Sequence, residues 1–216
     1  DVLEQLGVRI DLQPDGVKYC LENAGFGFMF APIFHPAMRF AAGARREIGI
    51  RTIFNILGPI ANPARVTRQV IGVADPRVGE LVVNVQMLLG SKHVMVCHGA
   101  DGVDEISLDG PTRIWELNES VIHSYLFEPR SVLLSSSLTS ALKIEAPVES
   151  AMRIISVLNG DAGPSRDVVL ANAAGGFIVG GKANNFTEAL ALARESIDSG
   201  QAATALRKLV QVSNKS

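Results

Sequence analysis

Two adjacent carboxylates, Asp104 and Glu105, lie within the stretch His98-Gly-Ala-Asp-Gly-Val-Asp-Glu-Ile-Ser107. This stretch follows an apolar run, His93 to Cys97, that reads as a buried strand. Ligands of open α/β sheets bind in loops at the carboxyl ends of such strands. Gly99 and Gly102 allow tight backbone paths through the loop. Neighbouring acids offer hard oxygen donors, and magnesium is held by one or two carboxylates completed by water and phosphate oxygens. Without a cation the two charges repel each other. The same residues would also serve as a solvated turn, and the pair alone does not separate these readings.

A second group of residues suits an acidic aromatic ligand. Arg45 and Arg46 stand late in a helix expected from Pro36 to Ile48, and their side chains point in different directions, so one can reach a cleft while the other faces water. A guanidinium fork matches a carboxylate in bidentate geometry. Two arginines near a helix C-terminus are also explained by the helix dipole alone. The apolar run Arg51 to Leu57 ends at Gly58-Pro59, where a glycine lets backbone approach a ligand, or simply makes a turn. His35, His93, His98 and His123 show no metal-ligand spacing and read as packed or surface residues, with His35 the exception worth following. No nucleophile elbow, dinucleotide fingerprint or phosphate-binding glycine loop occurs.

These residues need a scaffold, and punctuation by proline and glycine outlines one. Leu3 and Leu6 form a short helix stopped by Gly7, and Phe26 to Ala31 reads as a buried strand. Gln69 to Val73 is the next strand, followed by a helix start at Asp75-Pro76 and an amphipathic helix from Val78 to Leu89. Runs around Thr112–Trp115 and Val121–Phe127 predict a small antiparallel excursion. Helices follow over 147–158, 166–179, 186–199 and 202–212. Strands alternating with helices indicate an α/β sheet with mainly parallel strands.

Composition narrows the class. The chain has 216 residues, 47% hydrophobic, and a formal net charge of -2. That balance argues against nucleic-acid binding. The apolar runs are too short to cross a membrane, and no signal peptide is recognisable. Cys20 and Cys97 match no zinc or redox spacing and read as reduced core residues of a cytoplasmic protein. The opening on Asp1, without an initiator Met, predicts a chain that starts inside a longer protein.

Taken together, three segments resemble the anthranilate phosphoribosyltransferase family. They are Phe28-Met-Phe-Ala with His35-Pro-Ala-Met38, the long run from Arg45 to Pro59, and Gly102-Val-Asp-Glu-Ile-Ser107. The Asn172-Ala-Ala-Gly-Gly stretch is similar to the family's closing helix. The resemblance implies transfer of a phosphoribosyl group from phosphoribosyl pyrophosphate to anthranilate in tryptophan biosynthesis, with Mg2+ and release of pyrophosphate. It implies that Arg45 holds the anthranilate carboxylate, that Gly58 and His35 line that site, and that Asp104 and Glu105 bind the metal. No catalytic side chain is implied. The family fold joins a small helical N-terminal domain to a large α/β domain with a mixed central sheet flanked by helices, and its members form homodimers. The glycine-rich pyrophosphate loop of the family precedes the position matching Asp1. The expectation is therefore one α/β catalytic domain over residues 1–216, with most of the helical domain absent. The rivals are a nucleoside phosphorylase of related architecture and a non-catalytic module that keeps only part of the cleft.

Overall fold

Short-range signals set the helices of the computed structural model, which describes residues 1–36, 58, 60–132, 139–144 and 146–215. The described residues fall into two compact units, one built from 1–58, 144–160 and 197–216, the other from 59–143 and 161–196.

In the first unit, α1 (Val2–Gln5) is capped by Asp1, whose carboxylate accepts the Val2 N–H at 2.7 Å. Helix α2 (Pro14–Ala24) begins with Pro14, carries Asp15 in its first turn and ends at Gly25 in the left-handed conformation. Those are the favoured start and stop residues of a helix. Val17 and Cys20 of α2 form a core cluster with Val8, Leu12 and Leu209. Leu209 belongs to α8 (Gln201–Ser213), and α8 packs on α2 and on α5 (Pro147–Leu158). Chain segments far apart in sequence are tied by polar contacts: Ser213 Oγ accepts the Arg9 N–H at 3.1 Å, and Asn214 donates to the Gly7 carbonyl at 2.9 Å.

The strand expected over Phe26 to Ala31 is not formed. Residues 26–30 are irregular and lead into α3 (Ala31–Phe34), a single turn with proline in its first positions. Phe28 and Phe30 do share a side, with ring centroids 6.4 Å apart, as period-two spacing requires. What is missing is a partner: the described sheet contains no strand from this segment. Gly27 instead runs tightly against α2, where an added Cβ would stand 2.9 Å from Val17 and Leu21 side-chain atoms. Beyond Pro36, the helix expected to Ile48 and the apolar run from Arg51 to Leu57 lie outside the described residues.

The second unit carries the sheet. Strands β1 (Arg68–Gly72), β2 (His93–Gly99), β3 (Thr112–Asn118) and β4 (Val121–Phe127) lie in the order β1-β2-β3-β4. β1 and β2 are parallel, joined by a short 3-10 turn capped by Asp75 and by α4 (Gly79–Leu88). β2–β3 and β3–β4 are antiparallel. The expected mixed α/β sheet is thus present, and among the described residues its parallel part is the β1–β2 pair. A parallel pair needs a crossover element, which α4 supplies, whereas the loop after β2 turns directly back. Glu119 and Ser120 make the β3–β4 turn with φ of 48° and 70°, the paired positive values that a two-residue hairpin requires.

Helices cover both faces of this sheet. Gly79 of α4 sits against the Trp115 ring, and Gly175 of α6 (Pro164–Val179) sits against Met95 and Val70. Met95 pairs with Val70 in register, while Trp115 pairs with Val96, the next residue along β2, so the two helices lie on opposite faces. Arg68 of β1 donates to the Val179 carbonyl at 2.7 Å and closes the end of α6. Helix α7 (Phe186–Asp198) follows, and its Phe186 ring packs 4.1 Å from Phe127.

Candidate functional site

β2 is buried along almost its whole length and delivers the chain into the loop at its carboxyl end. There the backbone folds on itself: Gly99 N–H donates to the Val103 carbonyl at 2.9 Å, and Gly102 N–H donates to the Gly99 carbonyl at 2.9 Å. Gly102 takes φ 91°, which a side chain would resist. His98 reaches across to the Val73 carbonyl at 2.8 Å through Nδ1. A carbonyl can only accept, so Nδ1 carries the hydrogen.

Asp104 and Glu105 emerge from this loop side by side, both in contact with solvent. The backbone on either side of them is fixed. A Cβ at Gly72, the last residue of β1, would fall 1.7 Å from the Asp104 carbonyl oxygen, so only glycine admits the loop there. After the pair, Ile106 is fully buried, and its N–H and C=O are both bound by the Asn172 side chain of α6, at 2.9 and 3.0 Å. Ser107 N–H then donates to Thr112 Oγ1 at 2.9 Å. The backbone that carries the two exposed carboxylates is thereby anchored on both sides.

The electrostatics agree with a cation site. Loss of hydration, and then repulsion from Asp104, push the Glu105 carboxyl above the ordinary glutamate range. Burial first, with Glu105 and Asp104 adding to it, pushes the Cys97 thiol up to about 12. Burial is the larger cause of both shifts, and the mutual charge of Asp104 and Glu105, which a divalent ion would offset, adds to it. No cluster of three or more His, Cys, Asp or Glu donors occurs among the described residues. Two adjacent carboxylates on an exposed loop suit an ion that keeps positions for water and phosphate oxygens, as magnesium does. A cavity of about 190 Å³ adjoins the pair, walled by Ser107, Leu142 and Val168. A larger groove of about 390 Å³ lies in the first unit among Leu6, Ile155, Leu206 and Val210, but no carboxylate lines it.

Of the other predicted positions, His35 caps α3, donating its N–H to the Ala31 carbonyl at 2.8 Å, and is half-buried. Gly58 is exposed. Both belong to the first unit, whereas the acidic pair belongs to the second. Arg45 lies outside the described residues. His93 is a packed residue whose Nε2 meets Glu116 at 2.7 Å. Sequence reasoning did not find Gly72, and it met Asn172 only inside a motif. The signal for Asn172 was the run of small residues behind it, Ala173 to Gly176, which lets a helix approach a sheet closely.

A parallel strand pair with its crossover helix, helices on both faces of the sheet and an acidic loop at the carboxyl end of β2 define an α/β protein with a candidate ligand-binding edge. A family profile described as "Glycosyl transferase family, a/b domain" matches residues 1–203, and the chain belongs to that family. Within it, the chain is 49% identical over 217 residues to the anthranilate phosphoribosyltransferase of Thermomicrobium roseum, covering 99% of this chain and 62% of the relative. The crystal structure of the Thermus thermophilus anthranilate phosphoribosyltransferase superposes with a TM-score of 0.90 at 38% identity, covering 99% of this chain and 63% of that one. The Saccharomyces cerevisiae enzyme, solved in complex with PRPP and Mg, gives 0.89 at 26% identity over 100% of this chain and 62% of that one. The chain thus spans somewhat under two thirds of the length of the relatives it matches.

Proposed function

We infer that the full-length protein transfers the phosphoribosyl group of phosphoribosyl pyrophosphate to the amine of anthranilate, giving N-(5-phosphoribosyl)anthranilate and pyrophosphate in tryptophan biosynthesis. The observation that carries this reading is the carboxylate pair on an anchored backbone at the end of β2, in a chain similar throughout to enzymes of that name. One such relative has been solved with PRPP and Mg, and another structure of the same enzyme holds 4-fluoroanthranilate.

In this reading Asp104 and Glu105 would hold Mg2+. When bound, the ion supplies charge neutralisation for the departing group. Arg45 pairs with the anthranilate carboxylate, and Gly58 and His35 line the same subsite. The C–O bond to pyrophosphate breaks, the C–N bond to the anthranilate amine forms, and the amine proton passes to solvent. Fixing the acceptor through its carboxylate leaves its amine free to attack, so orientation replaces a strong base. Two buried cysteines outside any disulfide suit a cytoplasmic setting, and the homodimer is carried over from the family resemblance alone.

Steady-state kinetics with both substrates test the assignment. Arg45→Ala is expected to raise KM for anthranilate clearly more than KM for phosphoribosyl pyrophosphate. Equal effects on both would remove Arg45 from the acceptor site. Turnover of a nucleoside with phosphate instead would favour a phosphorylase, and binding of anthranilate without any turnover would favour a non-catalytic module.

A further inference from the structure

We propose that Asn172 is a positioning residue for the acidic pair, acting through the backbone of Ile106. This rests on the reading of Asp104 and Glu105 as metal donors. The geometry is specific. Asn172 Oδ1 accepts the Ile106 N–H at 2.9 Å, while Nδ2 donates to the Ile106 carbonyl at 3.0 Å and to the Val168 carbonyl at 2.9 Å. One side-chain amide therefore exchanges both hydrogen bonds with a single residue, as a neighbouring strand does in a narrow antiparallel pair. Ile106 lies in the connection beyond the β2–β3 ladder, whose last pair is Gly99 with Thr112. Asn172 supplies the missing partner.

The position of Asn172 on α6 is itself determined. One turn further along, Gly175 brings the helix so close that an added Cβ would stand 3.2 Å from Ile106 Cδ1 and 3.3 Å from Met95 Sδ. Ala171 and Ala174 are fully buried, and Arg68 holds the end of the helix to β1. Helix α6 thus reaches the sheet on small residues and presents one amide to the segment directly after Glu105. Asparagine suits the task because it alone among short side chains offers both an acceptor and two donors. On the other side of the pair, Gly72 fixes the Asp104 carbonyl. The carboxylates are therefore set from β1 and from α6 together, and outer partners of this kind tune metal affinity by orienting the ligands.

Satisfying a buried backbone would alone justify an amide here, so the test must separate stability from positioning. Binding of the Mn2+–phosphoribosyl pyrophosphate complex to the full-length protein is followed by the EPR signal of Mn2+, alongside Tm. Asn172→Ala is expected to weaken binding by about tenfold, the usual effect of losing an outer-shell partner. Asn172→Ser keeps a small polar group that can make one hydrogen bond but cannot exchange both with Ile106. It should fall between, and it carries the test if Asn172→Ala does not fold. Leu170→Ala, a buried truncation on the same helix, should lower Tm while leaving binding unchanged. Wild-type affinity in both Asn172 variants, or equal weakening by Leu170→Ala, would overturn the proposal. Asp104→Asn with Glu105→Gln serves as reference. If that variant binds as tightly as wild type, the metal reading itself fails, and this proposal falls with it.

Discussion

At Glu105 two effects raise proton affinity in the same direction, lost hydration and the charge of Asp104. This direction suits the metal role proposed for the pair, in which a cation would offset the charge. A second polar cluster in the same sheet has the opposite character. Tyr125 donates to Glu116 at 2.6 Å, and the other oxygen of Glu116 meets His93 Nε2 at 2.7 Å. These groups sit on β2, β3 and β4, so the chain of bonds ties the antiparallel strands together. Burial, and then the Glu116 partner, hold the Tyr125 phenol above the usual tyrosine range. The sign follows from linkage. The unfolded phenol ionises near pH 10 and the folded one only at higher pH, so stability is unaffected below about pH 10 and falls above it, by at most about 1.4 kcal/mol per pH unit. Alkaline absorbance titration should show one of the two tyrosines ionising only as the protein unfolds, and Tyr125→Phe should abolish that late step. Early ionisation of both would contradict the burial.

Elements were legible in the sequence wherever proline and glycine bracket them. Strand β4 and helix α5 were expected at the bounds they take, because Pro147 starts the helix and the strand is a compact apolar run. Helix α2 was overlooked although Pro14, Asp15 and Gly25 announce it, since its apolar positions are few and spaced among charged residues. Phe26 to Ala31 misled for the reverse reason: alternating aromatics imitate a strand, but strand formation depends on a partner that local pattern does not encode. Gly72 is the same lesson at the site. It has no positive φ, and nothing near it in sequence marks it, because its constraint is the carbonyl of Asp104 arriving from another loop. The expected outcome is an order of effects. Gly72→Ala should cost about 1–3 kcal/mol, as overpacking does, whereas Gly175→Ala meets only the flexible tips of Ile106 and Met95 and should cost less. Chemical denaturation of the two variants measures this, and a reversed order would refute the packing described for the loop.

At the scale of the whole molecule, the α/β class, the family resemblance and the acidic pair were all readable from the chain, because they rest on periodicity and on a contiguous motif. The division into two compact units was not, since each unit is assembled from segments distant in sequence. The proposed function is tested most directly on the second unit, which carries Asp104 and Glu105. Its central claim is that the carboxylate pair joins magnesium to the ribosyl donor. Linkage makes this measurable without turnover, because an ion bridging protein and ligand must raise their mutual affinity. The direct measurement is calorimetric titration of the full-length protein with phosphoribosyl pyrophosphate, with and without Mg2+, for wild type and for Asp104→Asn with Glu105→Gln. The account predicts that Mg2+ tightens binding to the wild type and that the double variant loses at least about tenfold of that gain, roughly 1.4 kcal/mol. An equal gain from Mg2+ in both proteins would contradict it.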